Sequence, residues 1–402
     1  MQLHHHCHLT YCTNIHPGEE WAPFFEALQQ SLPQVKSRFC PDQPMGVGLR
    51  LSAVAAHTLA RDPASLSIFQ QWLNENQLYV FTINGFPYGK FHGAPVKQAV
   101  YQPDWTTPER AVYTETLATL LAALLPVGMH GSISTVPVGF KPDLLAQGKL
   151  ETAVQYLLKV AATLYHLHQK TGHCIHLALE PEPGCFLETT AETVEFFNTH
   201  LFSEGALERW RDLVFEERGG DEKDRKSLSL ASLKQYLGVC LDTCHAAVMY
   251  ESSRAAAEML VEAGVPIHKV QLSSALQVQK VDDVTRTKLT SFAEGVYLHQ
   301  SHIRENNQTE FFLDLPEALA AVQSHQELRS HFHVPVFFQS VDELGTTQAD
   351  LIEFLAAQNN NIYSTHLEVE TYTFGVLPEQ LKTATIEDSI ARELDWVLER
   401  LR

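Results

Sequence analysis

The chain has 402 residues, 45% of them hydrophobic and 19% charged, with a formal net charge of −19 at pH 7. That composition supports a buried core rather than general disorder, and the acidic balance, with no Lys/Arg cluster to offset it, argues against nucleic acid as a partner. No apolar stretch approaches the roughly 20 residues that span a bilayer, and Met1 to His8 lacks the basic and apolar regions of a signal peptide. A soluble, cytoplasmic protein is expected, its seven scattered cysteines fitting reduced thiols better than a disulfide framework.

The length allows one large barrel or two ordinary domains. Nothing forces a split, so a single domain over residues 1–402 is expected. The His-rich start, with His4, His5, His6 and His8, reads as a polar chain end leading into a first strand. Strand-like runs then alternate with helical runs, the pattern of repeated β-α units. They cover 9–15, 78–84, 132–138, 174–180, 237–242, 269–273, 330–335 and 364–370, which predicts eight strands. The segment 47–52 could be a ninth, but Ser52 before Ala53-Val54-Ala55-Ala56 reads as an N-cap opening a helix, and that reading is preferred.

Helices are expected over Pro108 to Leu125, with a stripe of leucines, and over Leu150 to Lys170. Thr189 and Glu192 have capping-box spacing just after the Glu180 strand, and Thr385 with Asp388 opens a last helix running to Leu401. The charged, Gly-containing stretch from about 205 to 233 reads as an exposed insertion with a mobile tip. His299 and His302 read as surface histidines.

Three of the apolar runs end in an acid: Glu180, Asp242 and Glu368. Residues two apart in a strand share a face. In each run the large apolar side chains therefore oppose a face of small or polar ones: His176, Ala178 and Glu180; Gly238, Cys240 and Asp242; His366, Glu368 and Glu370. Gln271 shares such a face in its run, as do His331 and His333 in theirs. This split suits a parallel barrel, whose strands pack outward under helices and turn polar inside at their C-terminal ends.

Unpaired buried carboxylates are costly, so three acids in one inward phase predict a divalent-metal site of mixed O/N character, for Mn, Mg or Zn. The expected oxygen ligands are Glu180, Asp242 and Glu368. Glu180 and Glu368 could also serve as an acid/base pair moving a proton between adjacent carbons. His245, three residues past Asp242, would orient a substrate hydroxyl or carbonyl. Loops at strand C-termini add Asn14, His16, Asn84, Tyr88, His92 and Glu188 as candidate substrate contacts. Cys240 and Cys244 flank Asp242 without the spacing of a structural zinc site.

The step from Asp242 to His245, preceded by an inward Glu and closed by a last-strand Glu, is similar to the xylose isomerase-like TIM barrels, which include sugar isomerases, ketose epimerases and endonuclease IV-type repair enzymes. Gln271 stands where many of those relatives place a metal-binding His, and His333 is the available substitute. A closer resemblance covers nearly the whole chain. Tyr11 to Glu19, Asn84 to Gly93, Glu180-Pro181-Glu182-Pro183-Gly184-Cys185, His331 to Pro335 and Glu368 to Thr373 resemble the EboE family, metabolite traffic proteins of a bacterial gene cluster associated with moving or maturing small metabolites.

The resemblance implies a single (β/α)8 TIM barrel, a small-molecule metabolite as ligand and other proteins of the same cluster as partners. The functional expectation is a metal-dependent isomerase or epimerase acting on a small polyhydroxylated or carbonyl metabolite. The alternative is a non-catalytic metabolite-binding component, and an endonuclease IV-like phosphodiesterase is disfavoured by the acidic charge.

Overall fold

The computed structural model describes residues 1–3, 6–91, 95–218, 222–341 and 343–401. Eight parallel strands form the centre: β1 (His8–Tyr11), β2 (Met45–Arg50), β3 (Leu78–Asn84), β4 (Gly131–Thr135), β5 (Ile175–Leu179), β6 (Leu237–Asp242), β7 (Ile267–Leu272) and, after six strands of a second sheet, β14 (His366–Val369). They pair in the order β1-β14-β7-β6-β5-β4-β3-β2, and a parallel bridge from Cys12 to Gly48 joins the two ends. The result is a (β/α)8 barrel. Its strands are buried along nearly their whole length, as required when helices cover the outside of a parallel sheet.

Strand membership differs from the sequence expectation at two places. Residues 45–50 are a barrel strand, with Ser52 following as the expected N-cap, its hydroxyl accepting from Ala55 N at 3.1 Å. Gly46 and Gly48 weaken the strand signal because glycine is poor in sheets. Their purpose is space: a Cβ on Gly48 would lie 1.7 Å from Glu368 Oε2. Residues 330–335, by contrast, are not a barrel strand. Ser330 ends a strand of the second sheet and the chain then runs irregularly. The alternation there separates His331 and His333 from Phe332 and Val334, which join the core of that sheet.

The second sheet lies between β7 and β14. Its strands are β8 (Leu276–Val278), β9 (Ser301–Glu305), β10 (Gln308–Phe312), β11 (Glu327–Ser330), β12 (Ser340–Val341) and β13 (Leu344–Thr346), antiparallel in the order β10-β9-β11-β8-β13-β12. It has an apolar core of its own around Leu276, Phe292, Ile303, Leu328 and Leu344. His299 and His302, expected at the surface, are buried in this layer. Burial opposes protonation of His299, but Asp314 at 3.6 Å and Glu294 at 3.3 Å outweigh it and hold its pKa above the usual value.

The expected helices form over Pro108–Leu124, Leu150–Thr171 and Ile386–Arg400. Thr189 and Glu192 exchange both bonds of a capping box. The stretch from 205 to 233 is largely helical: Glu204–Arg218 buries Leu207, Trp210 and Val214 and packs on Leu150–Thr171. Its tip, 219–221, lies outside the described residues, as do His4 and His5. Among the described residues no helix is long and apolar enough to cross a membrane, and all seven cysteines are free and buried.

Inside the barrel, Lys269 on β7 and Glu368 on β14 are both fully buried, with Nζ 2.6 Å from Oε1. Burial pulls the lysine toward neutrality, but the Glu368 carboxylate outweighs it and raises the ammonium pKa. Removing one partner of such a pair leaves an uncompensated charge and costs about 3–5 kcal/mol, whereas removing both is far milder. Lys269→Met is expected to destabilise the fold by that amount in urea denaturation, and Lys269→Met with Glu368→Gln to recover most of it. Equal losses in the single and double variants would contradict the pairing.

Candidate metal centre

The mouth of the barrel is built at strand C-termini. Asp242 ends β6 and also caps the helix Thr243–Val248: its Oδ1 accepts from Cys244 N at 2.7 Å, His245 N at 3.2 Å and Ser273 Oγ at 2.5 Å. Capping consumes one carboxylate oxygen. The other, Oδ2, is buried without a hydrogen bond, and His245, one helical turn on, presents Nε2 to it at 3.7 Å.

Glu180 follows β5 and Glu370 follows β14, both almost fully buried. With Asp242 they place one carboxylate oxygen each within 4.8 Å of the others. Glu180 Oε2 has no hydrogen-bond partner. Glu370 Oε1 accepts from Asn14 Nδ2 and from Asn84 Nδ2, each at 2.8 Å. Burial, then the Glu370 and Asp242 carboxylates, push the Glu180 pKa well above the usual range; burial, then Asp242 and Glu368, do the same to Glu370. Lys269 opposes both shifts from below.

Three imidazoles complete the floor. His245 Nδ1 donates to the Pro181 carbonyl at 2.9 Å, and His333 Nδ1 to the Glu370 carbonyl at 2.8 Å, since a carbonyl can only accept. Gln300 donates its amide to Glu182 Oε1 at 2.7 Å and to the Pro183 carbonyl at 3.1 Å, so its oxygen faces His331 Nδ1 at 2.8 Å and accepts there. All three rings are thereby fixed with Nε2 as the free nitrogen. His331 Nε2 and His333 Nε2 stand 3.0 Å apart. Burial, then neighbouring imidazoles, hold His331 well below its ordinary pKa; burial brings His333 to about 4. Two neutral nitrogens with lone pairs aimed at each other repel unless a cation lies between them.

These observations test whether the residues fit a divalent ion, and they do. Orphaned carboxylate oxygens on Glu180 and Asp242, with Asp242 Oδ1 tied back by its cap and Glu370 Oε1 by two amides, are what a metal ligand set requires. Overlapping groups of ligand atoms within 4.8 Å join Asp242, His245 and His333, and Glu182, His245 and His331. A set of carboxylates and imidazoles suits Mn or Zn.

Several sequence candidates meet here and others do not. Glu180, Asp242, His245, His333, Asn14 and Asn84 converge. Glu368, expected as ligand and acid/base group, sits one step deeper, paired with Lys269, and the acid at the mouth is Glu370, two residues on along the same face. Gln271 is fully buried opposite Asp242 and Glu368 in register, with both amide atoms lacking a hydrogen bond, but it does not line the cavity. His16 packs on Tyr11, whose hydroxyl is 2.8 Å from its Nε2. Tyr88 meets Tyr113 edge to face and lies beneath the Arg110 guanidinium. Glu188 is held by Lys141 and by Gly184 N at 2.7 Å. None of these three lines the cavity, and His92 lies outside the described residues. Glu182, His331, Gln300 and Tyr101 join the site without having been expected as ligands or substrate contacts. Glu182 shares phase with Glu180, and His331 with His333, which was the available signal.

No protein-family model matches the chain, and no curated protein matches it. Among solved structures, it is similar to the probable 3-DHS dehydratase AsbF involved in petrobactin synthesis from Bacillus anthracis, at 12% identity and a TM-score of 0.46 over 97% of this chain and 98% of that one. It is similar to a D-tagatose 3-epimerase-like protein, at 10% identity and a TM-score of 0.47 over 98% of both chains. A third is an IolI protein with a bound zinc atom, at 11% identity and a TM-score of 0.48, again over 98% of both.

The raised Glu180 pKa has a stability consequence. A carboxyl that binds its proton more tightly when folded favours the folded state at low pH, and that contribution is lost as pH rises from the ordinary value of 4.5 through the raised one. In protein stripped of metal, Glu180→Gln is therefore expected to raise the melting temperature at pH 8 and to flatten its fall with pH. An unchanged pH slope would show that Glu180 is not buried among like charges.

Proposed function

We propose that this chain is a divalent-metal-dependent enzyme of the xylose isomerase-like kind, catalysing proton transfer between adjacent carbons of a small hydroxycarbonyl metabolite, as an isomerase or epimerase does. The observation that carries the reading is the convergence of Glu180, Asp242 and Glu370, with spare oxygens, beneath three imidazoles whose Nε2 lone pairs face inward. A bound divalent ion would supply Lewis-acid stabilisation of negative charge on a substrate oxygen. Glu180, Asp242 and Glu370 would hold it, with His245 and His333.

The chain's own groups then divide the work. Glu370 is tied by two amide donors that favour its ionised form, whereas Glu180 keeps an oxygen without a hydrogen-bond partner and is the group suited to take a proton from carbon and return it. Asn14 and Asn84 orient Glu370 and line the cavity. Gln300 and Tyr101 fix Glu182 and, through Gln300, the His331 ring. The resemblance to the EboE family supports a setting among metabolite-handling partner proteins, and the seven free thiols support a cytoplasmic one.

Two measurements test this. Elemental analysis of the isolated protein is expected to find a divalent metal, lost when Glu180, Asp242 and Glu370 are replaced together by their amides; metal content unchanged in that variant would refute the site. In deuterium oxide the metal-loaded protein is expected to exchange the proton beside the carbonyl of α-hydroxycarbonyl compounds, and Glu180→Gln to slow exchange by about 10²–10⁴-fold. Tight binding without exchange across a broad panel would instead support a metabolite carrier.

A further inference from the structure

The cavity above the floor is chemically split. Most of its polar lining belongs to the floor: Asn14, Asn84, Glu180, Glu182, His245 and Glu370, with His331 and the Tyr101 hydroxyl, which donates to Glu182 Oε1 at 2.8 Å. Apart from Lys97, its other walls are aromatic or aliphatic and come from separate segments: Phe86 and Phe91 after β3, Val96 and Val100 beyond them, Tyr297 and Leu298 from the connection before β9, and Tyr372 after β14. Phe91, Tyr297 and Tyr372 form a mutual cluster with ring centroids 4.9 to 5.3 Å apart. Tyr372 also lies 4.8 Å from the His333 ring, so the aromatic wall begins where the imidazole floor ends.

Hydroxyls packed against the ring faces and aliphatic side chains of such a wall would lose water and gain few partners, the Tyr297 and Tyr372 phenol groups apart, which is costly. A ligand whose oxygens are spread around it does not match this division; one with oxygens at one end and a hydrocarbon ring at the other does. Phosphate is disfavoured too. Among the described residues lining the cavity Lys97 is the one Lys or Arg, and its Nζ is engaged by Asp314 Oδ2 at 2.5 Å and the Glu294 carbonyl at 3.4 Å. The floor itself is acidic.

We infer that the substrate is a neutral, unphosphorylated hydroxycarbonyl compound carrying an aromatic or similarly flat apolar ring, an inference that rests on the metal-site reading above for the end that holds the oxygens. The oxygens meet the acid and imidazole floor. The ring lies along Phe91, Tyr297 and Tyr372.

Phenacyl alcohol and hydroxyacetone test this, because they share the same hydroxyl and carbonyl and differ only in phenyl against methyl. Calorimetric titration of the full-length protein, with metal content assayed in the same samples, is expected to give at least about 10-fold tighter binding of phenacyl alcohol. Phe91→Ala and Tyr297→Ala are expected to narrow that ratio without changing metal content; the comparison on the unaltered protein stands even if either variant misfolds. Equal affinities, no binding of either probe, or a preference for dihydroxyacetone phosphate over dihydroxyacetone, in protein that holds metal, would overturn the inference while leaving the metal site intact. A ring preference that persists in protein taking up no metal would uphold the apolar wall and refute the metal reading.

Discussion

Three carboxylates held within 4.8 Å of one another, out of water, cannot all remain ionised without a cation. Much of the barrel mouth follows from that constraint. Asp242 spends one oxygen on a helix cap, Glu370 ties one to two asparagines, and each arrangement aims what is left at a common point. The imidazoles obey the same logic from the opposite sign, since each is locked by a carbonyl or amide oxygen into the tautomer that offers Nε2 inward.

The layers beneath and above make this tolerable. Lys269 and Glu368 neutralise each other in the barrel interior, so the mouth acids rest on a closed pair rather than on a fourth free charge. Gly48 supplies the room for Glu368. Above, the segments flanking β9 and β11 of the second sheet contribute Gln300, His331 and His333, so part of the site belongs to a layer with its own apolar core. The cavity has an aromatic wall, a small apolar cluster of its own around Phe91, Val96 and Tyr297, on one side and charged groups on the other.

Much of this was legible in the sequence, for reasons specific to each element. Apolar runs ending in Glu180 and Asp242 declared barrel strands because period-2 phase needs no tertiary information. Phase fixes a face, however, and not a depth. It could not separate Glu368 from Glu370, which share a face but sit in different layers of a staggered barrel. Residues 45–50 were hidden because Gly46 and Gly48, required by a close neighbour, dilute the strand pattern. The second sheet was hidden because its strands run two to five residues and three of its five antiparallel pairings span long connections. His331 and His333 showed their common face in the sequence, but which core lay behind them did not show.

The central claim is that a divalent cation sits among these carboxylates and imidazoles. Anomalous X-ray diffraction from crystals grown with Mn or Zn, collected at the absorption edge of the metal, tests it most directly. The account predicts a peak in the barrel mouth within about 2.0–2.3 Å of oxygens from Glu180, Asp242 and Glu370 and of at least one Nε2 among His245, His331 and His333. A mouth without a peak at saturating metal, or a peak held by other residues, would contradict it.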